Sequence, residues 1–518
     1  MNLKKAELPF AYLGKTLWGV LRYLSNFLRR HRTINALFVT VLTFVLFWII
    51  SENRLDPDFG WHLKSGIYFR KFGIPMHDIY TYTAQSYKWI DHEWGNDVIM
   101  SWLYSIGGYS LVSFLYASLW TLATLVAGAF KVRIIVLFTA IIALSPYAGN
   151  RPLAWTMLLA AVLFRIIQSP NKRYRWIIPL LFIPWANLHA GFIAGLGLIA
   201  YFSLKERSKT LLTILGISTL ATLINAYGAR LYFEIAHTIF DPAIHSQIQE
   251  WKSFSIPGPS ILFMVLWLTG FWMFRPSYQT GVTSTVKENV KAFFSYILHI
   301  FKLLARELRL STLPENEKKK LYYWFDIAPI LLATAFSASR NFPLFVIFSM
   351  KQLDTSMTKV IDLVPKKLDR PRKVVLGSII GLLSFWLLYS AFLTYLPWTT
   401  NRENNYPITA VTYLKEHKCS GNLFNSYDYG GYLIWKLPSQ PVYIDGRMPT
   451  WVKYMNKYEA VINNPAKNYK TEFQRYNIKC VLVGLSDGKK LSEVLIKAHW
   501  NTVLIANGAE LLLSPENK

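Results

Sequence analysis

Residues 33–66 read "TINALFVTVLTFVLFWIISENRLDPDFGWHLKSG". The first half is an apolar run, 34–50, long enough to approach the ~30 Å of a bilayer's hydrocarbon as a helix. The second half places Asp56, Asp58 and His62 a few residues beyond its end. A greasy segment followed at once by paired acids sets the terms for the whole chain.

Comparable apolar runs recur along the first 400 of the 518 residues, and 53% of the chain is hydrophobic. A soluble protein has no use for so many, so the pattern reads as a polytopic α-helical membrane protein. Nineteen Trp and thirty Tyr suit many lipid–water crossings, where amphipathic rings settle. The net charge of +26 raises nucleic acid as a partner. Its distribution argues against that: more than half of the Lys and Arg lie at 1–33, 131–133, 165–175, 205–209, 275–320 and 351–373, beside the apolar runs. That is the positive-inside bias of a membrane protein. Both cysteines, Cys419 and Cys480, fall near the carboxyl terminus. Two thiols alone make no zinc site; a disulfide in an oxidising compartment and a buried free thiol both remain open.

With the basic leader 1–33 inside, charge and alternation agree on about eleven spans: 34–50, 110–129, 133–147, 153–168, 176–188, 191–204, 210–225, 259–274, 322–338, 342–352 and 374–397. The amino terminus is inside, and the chain sits in the cytoplasmic membrane. The first outer loop is 52–93. The linker 276–320, with Lys302, Arg306 and Arg309 on one helical face, reads as an amphipathic helix on the inner leaflet, in contact with membrane lipid. The tail, 405–518, reads as a soluble extracytoplasmic α/β domain. "NLFNSYDY", "PVYIDG", "KCVLVGL" and "TVLIANG" are its expected strands, and "YMNKYEAVIN" and "LSEVLIKAHW" its expected helices.

On this topology the mixed polar motifs fall on the outer side: Asp56, Asp58 and His62; His92 and Glu93 in "WIDHEWGN"; Arg151 in "YAGNRP"; Asn187 and His189 in "WANLHAGF"; Glu250 in "IQEWKS"; Arg340 and Asn341 in "SASRNFP". Polar groups near membrane depth are costly and tend to line a cavity. Asp56-Pro57 fits a helix start, with Asp56 as cap, and Gly73 with Pro75 fits its end, giving a helix over 57–72. Asp58 and His62 then share a face. The helix dipole favours the charged form of Asp56, which suits it to accept a proton or to hold a divalent cation such as Mg2+ or Mn2+. The plainer readings stand beside these: Asp56 a cap, Asp58 a first-turn charge, His92 and Glu93 a helix start, His189 a packing residue, Arg151 and Arg340 snorkelling side chains, Glu250 loop surface.

The first-loop stretch "DPDFGWHLKSGIYFRKFGIPMHDIYTYTAQSYKWIDHEW", together with "WANLHAGF", "SRNFPLF" and "YDYGGYLIWKLP…VYIDGR", resembles uncharacterised bacterial proteins of the GT-C superfamily of integral membrane glycosyltransferases. More distantly it is similar to oligosaccharyltransferase catalytic subunits, protein mannosyltransferases and aminoarabinose transferases. The resemblance implies a cell-envelope enzyme that moves a sugar, with inversion, from a polyprenyl-phosphate donor to an extracytoplasmic glycan, lipid or protein acceptor. It implies Asp58 or Asp56 as base or, for Asp56, as metal ligand. Arg151, Arg340 and His189 would neutralise the leaving phosphate. The tail lacks the tryptophan–aspartate signature of sequon-reading enzymes, which argues against protein N-glycosylation. Asp445 and Arg447 in "YIDGR" read either as an internal ion pair or as an acceptor contact.

Two other classes compete. A transporter or flippase of lipid-linked glycans would place its charges near the bilayer midplane and show paired repeats, and neither is present in this sequence. A non-catalytic assembly protein would use the tail to bind partners.

Overall fold

The computed structural model describes residues 32–128, 131–253, 255–273, 326–363, 389, 402–447 and 452–516. The expected linker at 276–320 and the last expected span, 374–397, lie outside the described residues, as does most of the leader.

Helix α1, Arg32–Asn53, is the first apolar run. After a turn comes α2, Phe59–Phe72, and then α3, Trp94–Ala127. The helix expected at 57–72 thus starts two residues late. The carbonyl of Asp56 accepts from the Phe59 N–H at 3.1 Å, and its carboxylate accepts from the Asp58 N–H at 2.9 Å. With Pro57 between them this is a side-chain-supported turn that hands over to the helix. Gly73 ends the helix at φ 79°, as expected of a glycine there. In α3, Gly107 and Gly108 leave helical geometry, Gly108 at φ 62°. The break separates a first-loop portion, packed on α2, from the apolar portion that begins where a span was expected.

Further α-helices follow among the described residues: α4 Ile134–Leu144, α5 Leu153–Ile167, α6 Ile178–Leu188, α7 Phe192–Lys205, α8 Lys209–Ala221, α9 Arg230–Phe240, α10 Pro242–Gln247 and α11 Gly258–Met273. Then come α12 Ile327–Ser337 and α13 Phe342–Leu363. Each of the first ten expected spans coincides with one of these helices, the second only with the later part of α3. By length and apolarity two of the described helices, 33–53 and 94–127, suffice to cross a membrane; the other apolar ones are shorter.

The tail opens with α14, Ile408–Glu416, and holds a four-stranded sheet in the order β1-β2-β4-β3: β1 Asn422–Asn425, β2 Ile478–Gly484, β3 Asn501–Ala506, β4 Ala509–Leu513. β1 runs parallel to β2, and β4 is antiparallel to both its neighbours. Helices α15 Gly430–Lys436, α16 Val452–Asn463, α17 Pro465–Arg475 and α18 Lys489–Lys497 complete it. Cys419 and Cys480 form a disulfide. The strand expected over "PVYIDG" is not one. The Asn425 side chain takes its backbone groups instead, accepting from the Tyr443 N–H at 2.8 Å and donating to the Ile444 carbonyl at 2.9 Å. Val442 bridges Thr81 of the first loop.

Buried apolar residues of the helices and of the tail form one contiguous core, from Phe47 through Phe59 to Leu482. The join is tight where α2 crosses α15. A Cβ on Gly60 would lie 1.9 Å from the Gly431 carbonyl oxygen, and one on Gly431 would lie 2.1 Å from that of Pro57. Neither partner is a side chain that could swing aside.

Gly60→Ala is therefore expected to destabilise the protein by about 1–3 kcal/mol, since overpacking here must displace backbone. Gly216→Ala, where nothing lies within 4 Å, should leave the thermal midpoint unchanged or raise it. Unfolding midpoints of the two purified variants check this; equal midpoints would contradict it.

Candidate active site

A cavity of about 510 Å³ lies where the helix ends, the first loop and the tail meet. Asp56, Asp58, His62, His92, Glu93, Arg151, His189, Glu250 and Arg340 all line it, though they come from segments up to 284 positions apart in the chain. Asn341 does not; its amide donates to the Thr334 carbonyl at 3.1 Å and closes the turn after α12.

Three groups of contacts organise the lining. In the first, Arg151 donates from Nε to Asp56 and from Nη1 to Glu250. Its guanidinium holds the Glu250 carboxyl below the usual range. Asp56 is thereby fully engaged, one oxygen on Arg151 and the other on the Asp58 N–H. That bears on the metal expected at Asp56. A guanidinium already supplies the cation there, and among the described residues no group of three or more His, Cys, Asp or Glu could hold a metal ion. These residues as they stand do not fit a divalent cation, and no step below passes through one.

In the second, Asp58 occupies the position just before α2, and its carboxylate accepts one hydrogen bond, from Trp61 Nε1 at 2.9 Å. Burial, with the neighbouring Asp56 charge second, pushes its carboxyl up to about 6. Asp58 is thus held less tightly than Asp56 and faces the cavity.

The third is a buried acid–imidazole cluster within the lining itself. Glu93, 8% exposed, faces Nε2 of His62 at 3.4 Å, of His189 at 3.4 Å and of His92 at 3.6 Å. His62 Nδ1 meets Asp97 Oδ1 at 2.6 Å, and Asp97 also accepts from Asn96. His189 Nδ1 accepts from the Gly191 N–H at 2.9 Å and from the Thr156 hydroxyl at 2.8 Å, while that hydroxyl accepts from Trp185 Nε1. Two donors on Nδ1 leave the ring proton on Nε2, aimed at Glu93. Burial pushes the Glu93 carboxyl up to about 7, against the opposing charge of His62. The nearby Asp91 carboxyl is pushed up as well, by burial and then by Asp97.

Sequence reasoning passed over Asp91, Asp97 and Trp251, and it brought the tail toward the cavity only as an alternative reading of Asp445 and Arg447. Tyr427, Asp428, Gly446, Arg447 and Met455 complete the wall. Arg447 and Asp445 form the internal ion pair, at 2.8 Å, and Arg447 also reaches Asp78 of the first loop at 2.7 Å. Arg340 carries no ion pair among the described residues and stacks over Trp251, 4.5 Å from the ring centre.

The chain matches no protein-family model and no curated protein. Several solved structures are similar to it, among them the following. The apo oligosaccharyltransferase of Archaeoglobus fulgidus is 13% identical, with a TM-score of 0.47 over 87% of this chain and 69% of that one. AglB of the same organism, in complex with an inhibitory peptide and a dolichol-phosphate, gives 13% and 0.47 over 88% and 70%. ArnT from Cupriavidus metallidurans, bound to undecaprenyl phosphate, gives 12% and 0.42 over 93% and 98%.

The Glu93 carboxyl fixes a pH dependence. Its pKa rises from 4.5 to about 7 on folding, so between those values the unfolded chain binds fewer protons and stability falls as pH rises. Glu93→Gln is expected to flatten that fall. Thermal midpoints of both proteins across pH 4.5 to 7 check it, and parallel curves would refute the assignment.

Proposed function

We propose that the protein is a membrane glycosyltransferase of the GT-C type, acting on a sugar carried by a polyprenyl phosphate. The reading is carried by one observation. Most charges lining the cavity are internally neutralised, while a lightly held carboxylate, Asp58, and a guanidinium without a carboxylate partner among the described residues, Arg340, face the same space. A base and a separate anion acceptor are what transfer from a phosphate leaving group requires.

In this mechanism the acceptor hydroxyl enters from the tail side. Asp58 takes its proton as the oxygen attacks the anomeric carbon. The bond from that carbon to the carrier phosphate breaks, and the phosphate departs with its electron pair. Arg340, held flat by Trp251, receives the phosphate charge. Arg151 stays on Asp56 and Glu250 and fixes the turn that presents Asp58. Single displacement inverts the anomeric centre.

The donor class rests on the resemblance of the first loop, residues 56–94, to glycosyltransferases of this kind. The orientation rests on charge: Lys205, Lys351 and Lys359 mark the opposite ends of the helices that reach the cavity. The cavity and the tail would then lie on the extracytoplasmic face of the inner membrane. The acceptor is an envelope glycan, lipid or protein.

Asp58→Asn is expected to lower transfer by about 10²–10⁴-fold with the fold intact, the range for a lost general base. Arg340→Gln should cost about 10²–10³-fold. Mass analysis of surface glycans from cells carrying each variant reads the missing sugar. Unaltered glycans with a folded Asp58→Asn protein would end the proposal.

A further inference from the structure

Two buried carboxyls take no part in the steps above: Asp91, in the loop before α3, and Asp97, in the first turn of α3. One oxygen of each is provided for. Asp91 Oδ1 accepts from the Glu93 N–H at 2.9 Å. Asp97 Oδ1 accepts from the Asn96 amide at 3.2 Å and lies 2.6 Å from His62 Nδ1. The other oxygen of each, Oδ2, is buried and receives no hydrogen bond among the described residues. The two carboxyls are within hydrogen-bonding reach of each other.

The other groups that face the pair do not supply the missing donor. The Tyr116 hydroxyl donates to Asn96 Oδ1 at 2.6 Å, and the Tyr80 hydroxyl meets that of Ser65 at 3.3 Å. The Tyr227 hydroxyl accepts from the Asp91 N–H at 3.1 Å. Arg447 is bound to Asp445 and Asp78, and Glu93 adds only a like charge. Two ionised carboxylates held together out of water repel each other and leave lone pairs unfilled. One proton corrects both faults. It neutralises one acid and places a donor between the two Oδ2 atoms.

We infer that Asp91 and Asp97 share one proton, and that the pair so formed holds His62 behind Trp61. The proton belongs to both acids rather than to either. Asp97 Oδ1 is left as an acceptor, so His62 keeps its hydrogen on Nδ1. The His62 ring lies against Trp61, centroids 3.6 Å apart, and Trp61 Nε1 is the single donor to the Asp58 carboxylate among the described residues, at 2.9 Å. Asp91 and Asp97 are thus positioning residues for that donor. Losing the proton would put two like charges in contact and loosen the hold on His62. Unfolded aspartates ionise at about 3.9, so above that value the folded chain holds one proton more than the unfolded, and this contribution to stability falls as pH rises. The pair does not depend on the glycosyl-transfer reading, and its test uses no transfer activity.

The test is made on the full-length protein in lipid nanodiscs, in a Glu93→Gln background that removes the titration of Glu93. Asp91→Asn puts an amide hydrogen where the shared proton stands. Its unfolding midpoint should gain on that of the background as pH rises from about 5 to 8, the folding equilibria diverging about tenfold per pH unit while the pair keeps its proton. Asp91→Ala offers no hydrogen and should lie below Asp91→Asn throughout. At neutral pH the infrared difference between the background and Asp91→Asn should show the stretch of a protonated carboxyl. The nitrogen-15 resonances of His62, identified by their loss in His62→Gln, should show hydrogen on Nδ1 in both proteins. A constant gap between the background and Asp91→Asn, equal midpoints for the Asn and Ala variants, loss of an ionised carboxylate stretch instead, or hydrogen on Nε2 alone of His62 would each overturn the inference.

Discussion

The guanidinium of Arg447 holds the tail against the first loop, and the shape of the cavity follows from that. It donates to Asp445 at 2.8 and 2.9 Å and to Asp78 at 2.7 Å, and its Cζ lies over the rings of Tyr80 and Trp89, 4.7 and 4.5 Å from their centres. Taking three charges out of water costs several kcal/mol each unless their hydrogen-bonding capacity is filled. Here it is largely filled, since Asp78 also accepts from the N–H and hydroxyl of Thr81. Such a clamp tolerates little change, because removing one partner strands a buried charge. Trp89 and Arg447 both line the cavity, so the same contact that joins the two parts of the chain forms one of its walls.

Charge neutralisation also sorts the residues of the cavity. Asp56 and Glu250 compete for nothing from outside because Arg151 already binds both. Glu93 is surrounded by imidazoles and buried enough to sit near neutrality. Beside the exposed Asp428 of the tail, Asp58 and Arg340 are left over: a carboxylate with a single indole donor, and a guanidinium on an aromatic face. Proximity in the chain would have favoured Asp56 and Asp58 equally. Their partners separate them.

Much of the helical part was legible because it rests on local rules. Apolar runs placed α1 and α4 to α8, and Gly73 ended α2 for the steric reason that made it recognisable. The site residues were legible as a set through their shared sidedness, which is a topological property of a membrane chain. Contacts between distant segments were not legible. The "PVYIDG" stretch has the composition of a strand, yet Asn425 binds its backbone groups and Thr81, some 360 positions earlier, supplies its one bridge among the described residues. Asp91 and Asp97 looked like ordinary polar residues of a loop and a helix start. Only folding brings Asp97 to within 2.6 Å of His62. In the tail, Arg447 was legible only as one of two readings, ion pair or acceptor contact, and nothing in the pattern indicated that Tyr427 and Gly446 would reach a cavity whose acids come from residues 56–93.

That last contact links the tail to the chemistry more tightly than a shared wall would. Gly446 approaches Asp58 so closely that a Cβ there would lie 1.7 Å from Asp58 Oδ1. The carboxylate can hold its place beside Trp61 only because residue 446 has no side chain. Residue 446 in turn is positioned by its neighbours in the clamp, Asp445 and Arg447. The orientation of Asp58 is thus coupled to the docking of the tail on Asp78. A displaced tail would free the carboxylate to turn and would open the wall formed by Tyr427 and Arg447 at the same time. The connections before α5 and α13 supply Arg151 and Arg340, the first loop supplies Asp58, and the tail is the part that sets where that carboxylate points.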